Sequence, residues 1–401
     1  MAKDEVNRRL ALKRGGALGV LGAVTALWTW PAEASVARTG AGADPRWVWD
    51  PEADALLASV LDRGDVPTVN ALLRTWQKNG QALPAGLPAD VRDFVERARQ
   101  LPSWADRGKL ASSFTFTEKR GLYLGVLYGL ASGMMSTVIP HEARAVYYSK
   151  GGAAMKDRIS KTAKLGYDIM TRNAFEPAGE MIVTCVKTRL VHAAVRHLLP
   201  QSPQWTGTAD QTVPISQRDM LVTWHSLPTT VMGKLTAWQV PIPRAESEGF
   251  LHSWQLTGHL LGIMDEYLPA SWAEADAQAE QVLTPVLAPT DEGIELADIL
   301  LNLGASVDGG VLSTHVLGAF TRFMLGDRIA GWLRIPREPV WDPLLDVAWG
   351  PFIAVREGLL PFPLAPAAYW TFEEFLRQAA LLFLSEGKPI SIEIPDGNRP
   401  A

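Results

Sequence analysis

The sequence predicts a mainly α-helical protein built as one large globular body. Three observations carry that reading. Apolar residues recur at helical spacing near 51–63, 88–100, 153–173, 176–198, 247–268, 291–303 and 370–387; strand-like alternation is scarce; and no Gly/Ser linker or long proline-rich break divides the 401 residues. The organisation expected is a helical core over 106–385 preceded by a helical extension over 35–105. Asp50-Pro51 and Glu176-Pro177 read as helix starts with proline in the first turn, and Pro200, Pro228 and Pro269 as helix stops. Gly121 to Ile139 contains nineteen residues without a charge, long enough to cross a bilayer. Its glycine, serine and threonine content, with Tyr123 and Tyr128, suits a closely packed core helix or a pocket wall instead. The final stretch 386–401, rich in proline, glycine and charge, reads as a loose tail.

The first 34 residues read as an export signal. Met1 to Arg14 is basic, Gly15 to Ala32 carries no charge, and Ala32-Glu33-Ala34 offers small residues where a signal peptidase reads. Arg8-Arg9-Leu10-Ala11-Leu12-Lys13 approximates a twin-arginine signal, whose route carries folded proteins and suits one that takes up a cofactor before export. Secretion without a lasting membrane anchor is the expectation. Removing the leader takes away five basic and three acidic residues, so the net charge moves from −5 to −7. With no basic run, nucleic acid is not an expected partner. Cys185 is the single cysteine, which rules out an intramolecular disulfide, a Cys-x-x-Cys-His haem attachment and cysteine-rich metal sites.

Motifs for several other chemistries fail on spacing. His141-Glu142 opens like a zincin, but Ala145 stands where the second histidine belongs. Gly304-Ala305-Ser306-Val307-Asp308 misses a nucleophile elbow at its last residue. No P-loop occurs. His192 and His197, five apart, point about 140° from one another on a helix, and His252 and His259, seven apart, lie roughly 10 Å apart along one. Neither pair can share an ion. A single-histidine axial ligand to a macrocycle is the remaining metal option. His192 is the candidate, because Ala193, Ala194 and Val195 leave room for a flat ring, and Arg189 and Arg196 flank it as partners for carboxylate side arms. A satisfied core histidine explains the same pattern.

The stretch Arg158-Ile159-Ser160-Lys161-Thr162, followed thirty residues after Thr162 by His192 within Lys187-Thr188-Arg189-Leu190-Val191-His192-Ala193-Ala194-Val195-Arg196, resembles the latex-clearing protein family. The likeness extends to Glu142, His197, His225 and His252 and covers most of the chain, and the twin-arginine-like leader is similar too. The resemblance implies a buried, non-covalent haem b in a globin-like helical core with extra helices. It further implies His192 as proximal ligand, Lys161 as distal ligand of a closed state, and Arg189 and Arg196 at the cofactor.

Arg158, Lys161 and Thr162 share one helix face, and a lysine binds iron only as the neutral amine, so burial of Lys161 belongs to this expectation. A solvated lysine is the alternative. Glu142 is assigned acid–base work, with pairing to Arg144 as its alternative, and Arg158 and Thr162 position the base or bound oxygen. His197, His225 and His252 read as structural hydrogen-bonders. The implied reaction is dioxygenation of the C=C bonds of poly(cis-1,4-isoprene), with dioxygen as co-substrate, a hydrophobic polymer as partner and a monomeric enzyme. Oxidation of a smaller isoprenoid or lipid, or a non-catalytic haem protein, stays open. Fifteen tryptophans are many for this length, and a few are expected at a channel or polymer surface.

Overall fold

Asp50 begins the helical body. Its side chain accepts the Ala53 amide at 3.2 Å and Pro51 follows at the first helical position, so α1 (Pro51–Asp62) starts where the sequence predicts. α2 (Val66–Leu73) and α3 (Ala89–Ala98) complete the N-terminal extension. α4 (Arg107–Val126) continues through a π-helical turn at Leu127–Ser132 to Ser136. Next come α5 (Pro140–Tyr148), α6 (Met155–Asp168) and α7 (Met181–Leu198). α8 (Gln217–Trp224) runs through a second π-helical turn, His225–Thr229, to Ala237. α9 (Arg244–Leu260), α10 (Trp272–Val282), α11 (Asp291–Val307), α12 (Thr314–Trp332) and α13 (Trp341–Arg356) follow. The computed structural model describes residues 28–39, 42–149, 155–307, 313–358, 380–381 and 383–398. Most of the leader and most of the helix expected over 370–387 lie outside them. Among the described residues there is no strand; the extended pairings are two isolated bridges, Ser35 with Pro269 and Ser149 with Asn398.

One continuous apolar core runs from Leu57 and Phe94 of the extension to Trp254 and Met324, so the chain is a single mainly α domain. The most extensive helix contact joins α4 to α9. Gly249 permits it, because a Cβ there would sit 2.6 Å from both the Lys109 carbonyl oxygen and the Ser113 amide nitrogen. The Phe116 and Phe250 rings then meet at 4.5 Å. The charge-free stretch forms core as expected, with Tyr123, Leu124, Leu127, Ala131, Met134 and Val138 buried. No single helix among the described residues is long and apolar enough to cross a membrane; α4 with its extension and α5 pass only as a pair bent by 89°.

Several sequence expectations are corrected. Glu176-Pro177 does not start a helix. The chain turns until Met181, because the Asn79 side chain holds the Ala174 and Glu176 carbonyls at 2.8 and 2.7 Å and accepts the Ile182 amide at 3.0 Å. Pro228 stops nothing, since it lies inside the second π-helical turn, whose widened backbone accommodates a residue without an N–H. Pro269 lies beyond the end of α9 at Leu260 and bridges to Ser35. The segment 386–401 is no loose tail over its described part. Ile394 is buried and exchanges two hydrogen bonds with the Asn70 side chain, Arg74 pairs with Glu393, and Asn398 donates to the Leu198 carbonyl. Within the expected leader, Trp30 and Ala34 are buried, and Ala34 accepts the Ala270 amide at 2.8 Å.

Gly249→Ala should lower stability by about 1–3 kcal/mol through backbone overpacking, although alanine is the better helix former. Gly331→Ala, where an added Cβ meets nothing within 4 Å, should be neutral or stabilising. Thermal unfolding followed by circular dichroism checks the contrast.

Candidate active site

α5, α6, α7 and α8 bring the candidate residues together. Glu142 lies in the first turn of α5, behind Pro140, and its Oε2 accepts the Thr223 hydroxyl of α8 at 3.1 Å. Burial pushes its carboxyl up to about 7; the Thr223 hydrogen bond and the Arg158 charge oppose that shift, and the Asp219 carboxylate adds to it. Arg158, in the first turn of α6, donates to Ser149 Oγ at 3.1 Å. Burial lowers its pKa while the neighbouring Glu142 works against the change. His192 sits in the C-terminal half of α7. Burial, then the charges of Arg196 and Arg158, push its pKa down to about 3, so the imidazole is neutral at physiological pH. Arg158 thus acts on both Glu142 and His192, which places three helices around one spot. All three side chains are deeply enclosed by protein yet keep partial accessibility.

Two buried side-chain polar atoms in the C-terminal half of α7 have no hydrogen-bond partner. Nδ1 of His192 is unbonded, and so is Nη2 of Arg196, one helical turn further on. Buried polar groups are normally paired, so a neutral histidine with a free nitrogen fits a ligand position. Among the described residues no group of three or more His, Cys, Asp or Glu could hold a metal ion. Gly125, on α4, and Gly129, in the π-helical turn that follows it, are accessible, and a Cβ on either would meet nothing within 4 Å. That leaves bare helix against which a flat group can lie. Tyr128, between them, reaches to within 3.8 Å of where a Cβ on Gly166 of α6 would sit.

The remaining candidates are placed differently from the expectations. Arg189 gives Asp50 a bidentate pair at 2.6 and 2.9 Å, and Arg196 binds Asp54 at 2.6 Å and the Ile215 carbonyl at 3.3 Å. Both arginines therefore seat the N-terminal extension on α7, and Nη2 of Arg196 makes no hydrogen bond. Lys161 is an ion-pair partner of Asp157 at 2.7 Å on the same helix, the geometry of its solvated alternative. Thr162 is exposed and bonds the Arg158 carbonyl at 3.3 Å. Arg144 faces Glu292 at 3.6 Å, so it is not what holds Glu142.

His225 is fully buried between Thr229 and Gln278 at 2.9 and 2.8 Å, and His252 accepts the Asp106 amide at 2.8 Å, so both are structural. His197 contributes its carbonyl, to Gln201 at 2.9 Å. Most tryptophans are at least partly covered, while Trp47 is 70% exposed. Sequence reading missed Thr223, Ser149 and the Asp219–His141 pair at 3.2 Å; Thr223, one turn after Asp219, carried the faint signal of two polar residues on one face.

The catalytic-domain model of the family described as ER-bound oxygenase mpaB/B'/rubber oxygenase matches residues 119–355, more than half of the chain. The chain belongs to this family. It is an oxygen-incorporating oxidoreductase, and Glu142, Arg158, Lys161, Thr162 and His192 all lie within the matched residues. The family member "Rubber oxygenase" of Streptomyces sp. (strain K30) is 55% identical over 407 residues, covering 99% of this chain and 100% of that relative. A solved structure of a latex clearing protein in the closed state matches with a TM-score of 0.84 at 56% identity, covering 92% of this chain and 99% of that one.

The raised carboxyl of Glu142 makes stability depend on pH. An unfolded chain releases this proton near pH 4.5 and the folded oxygenase near 7, so the folded state loses stability as pH rises between those values. Glu142→Gln should remove a loss of up to about 3 kcal/mol. Urea unfolding of both proteins at pH 4.5 and pH 8 gives the comparison: the wild type should fall relative to the variant at the higher pH.

Proposed function

We propose that this family member is an exported, haem b-dependent dioxygenase that cuts poly(cis-1,4-isoprene) into fragments with aldehyde and ketone ends. The observation that carries the reading is the enclosed, neutral His192 with its unpartnered Nδ1, acted on by the same Arg158 charge that acts on Glu142. It stands in a chain 55% identical, end to end, to a Streptomyces rubber oxygenase. His192 would hold the haem iron, and Arg196 Nη2 would meet a carboxylate side arm. When bound, the haem supplies the iron at which dioxygen is taken up. Lys161 would serve as distal ligand in a closed state, which requires it to leave Asp157 and lose a proton.

The chain's own residues account for the proton chemistry. With Oε2 held by Thr223, Oε1 of Glu142 is the atom that takes an allylic proton from the polymer and later returns it. A carboxyl that titrates near 7 is matched to that exchange at neutral pH. Arg158, anchored on Ser149, offsets the carboxylate charge while the proton is away. In the net reaction one C=C bond and one dioxygen become two C=O groups, so both oxygen atoms end in the products. A polymer too large to enter a cell is consistent with the twin-arginine leader, and the monomeric state and hydrocarbon partner belong to the same proposal.

The purified protein should show a Soret band and a b-type pyridine haemochrome, and His192→Ala should lose both. With polyisoprene latex and dioxygen it should release carbonyl-ended oligo-isoprenoids. Glu142→Gln should retain haem while product formation falls by about 10²–10⁴-fold, the usual range for a general base. A colourless wild type prepared with ample haem would overturn the cofactor reading; haem binding with products only from small isoprenoids would overturn the polymer.

A further inference from the structure

α6 is held in an unusual way for a helix that walls a site. Its two buried residues are Ser160 and Asp168, both polar, and its apolar side chains are only half-buried. Burial of an apolar stripe, the usual anchor of a surface helix, therefore contributes little here. At its C-terminal end a polar cluster does the anchoring. Asp168, with a side chain 4% exposed, takes Lys164 at 2.9 Å and the Thr184 hydroxyl of α7 at 2.5 Å on the same Oδ2. Lys164 also reaches Glu180, just before α7, at 2.6 Å, and Lys78 of the extension holds the other Glu180 oxygen at 2.6 Å. Cys185, on the Asp168 side of α7, is buried and uncharged.

The position of this cluster matters more than its size. α6 and α7 pack together, and the cluster joins the end of one to the start of the other, so the two helices run back past each other from a shared point. From Asp168, seven residues back along α6 reach Lys161, roughly 10 Å away; from Thr184, eight residues along α7 reach His192, about 12 Å away. Counting from the Asp168–Thr184 bond thus sets Lys161 level with His192, with Arg158 one turn beyond. The electrostatic effect of Arg158 on His192 is an independent sign that these ends meet. A slip of one residue at the cluster would move the α6 side chains by about 1.5 Å and turn them by about 100°.

We infer that Asp168, with Lys164, Glu180 and Thr184, is the register pin of the α6–α7 pair and a positioning residue for the oxygenase reaction. It fixes how Arg158 and Lys161 are presented to His192. The inference deepens the haem reading given above and rests on it for the axial-ligand consequence, whereas the pinning of α6 stands on the cluster alone.

The test uses the full-length haem-loaded protein and Asp168→Asn, which keeps an oxygen for Thr184 but removes the charge that holds Lys164. Two readouts are taken beside turnover. Hydrogen–deuterium exchange, read peptide by peptide, should rise about tenfold over 155–168 and stay unchanged over 244–260. The absorption and electron paramagnetic resonance signature of the second axial ligand should shift from that of the wild type while haem content is retained, with turnover falling about tenfold. Lys164→Met should reproduce these changes and Lys164→Arg restore the wild-type pattern. Should Asp168→Asn fail to fold, Glu180→Gln, at the more accessible side of the cluster, should give about a threefold rise in α6 exchange.

Unchanged exchange over 155–168 and an unchanged axial signature in these variants would overturn the pin. So would a uniform rise that includes 244–260, the mark of general destabilisation. If the wild type binds no haem, the functional reading fails by that result, and the exchange arm still decides the pin.

Discussion

Burying α7 is the constraint on which the rest of this structure depends. Twelve of its residues are buried, Thr184, Lys187 and Arg196 among them, and polar groups taken out of water must find partners inside. They find them in the neighbouring elements. Asp168 takes the Thr184 hydroxyl, the Trp76 carbonyl takes the Lys187 ammonium, Asp54 takes Arg196, and Asn79 accepts the amides of Ile182 and Val183. The N-terminal extension is thereby integral to the core: it supplies most of the groups that make a polar helix tolerable there. Against that background Nδ1 of His192 and Nη2 of Arg196 are the two buried side-chain polar atoms of this helix left without a hydrogen-bond partner.

The walls around His192 are held by two kinds of force. α4 and α9 are locked by close backbone approach at Gly249 and by ring packing, which resists displacement because interiors pack densely. α6 is tethered through charges and hydroxyls instead. The same low-dielectric setting raises the Glu142 carboxyl toward neutrality and keeps the His192 imidazole uncharged. One physical condition, exclusion of water, therefore prepares both a proton-exchanging carboxyl and a neutral nitrogen ligand.

Much of this was legible in the sequence, and for identifiable reasons. The long periodic segments that became α1, α7 and α11 gave the helical class, since a 3.6-residue pattern survives in one dimension. α2, α5, α8, α10, α12 and α13 were not marked. In α8 the proline inside a π-helical turn broke the expected pattern. Glu142, Arg158 and His192 could be singled out through motif spacing and family resemblance, because residue type and separation along a chain are what such patterns record.

By itself the sequence determined the mainly α class, the lack of disulfides, the charge-free core stretch and the identity of the central candidates, all properties of composition or local period. Only the tertiary structure decided who pairs with whom. Arg189 and Arg196 turned to Asp50 and Asp54, about 140 residues away; Thr223 was brought to Glu142 from 81 residues away; and the expected loose tail was pinned by Asn70 from 324. Such pairings depend on which faces meet after collapse, when desolvation makes every buried charge and hydroxyl seek the nearest partner, and separation along the chain no longer predicts distance in space.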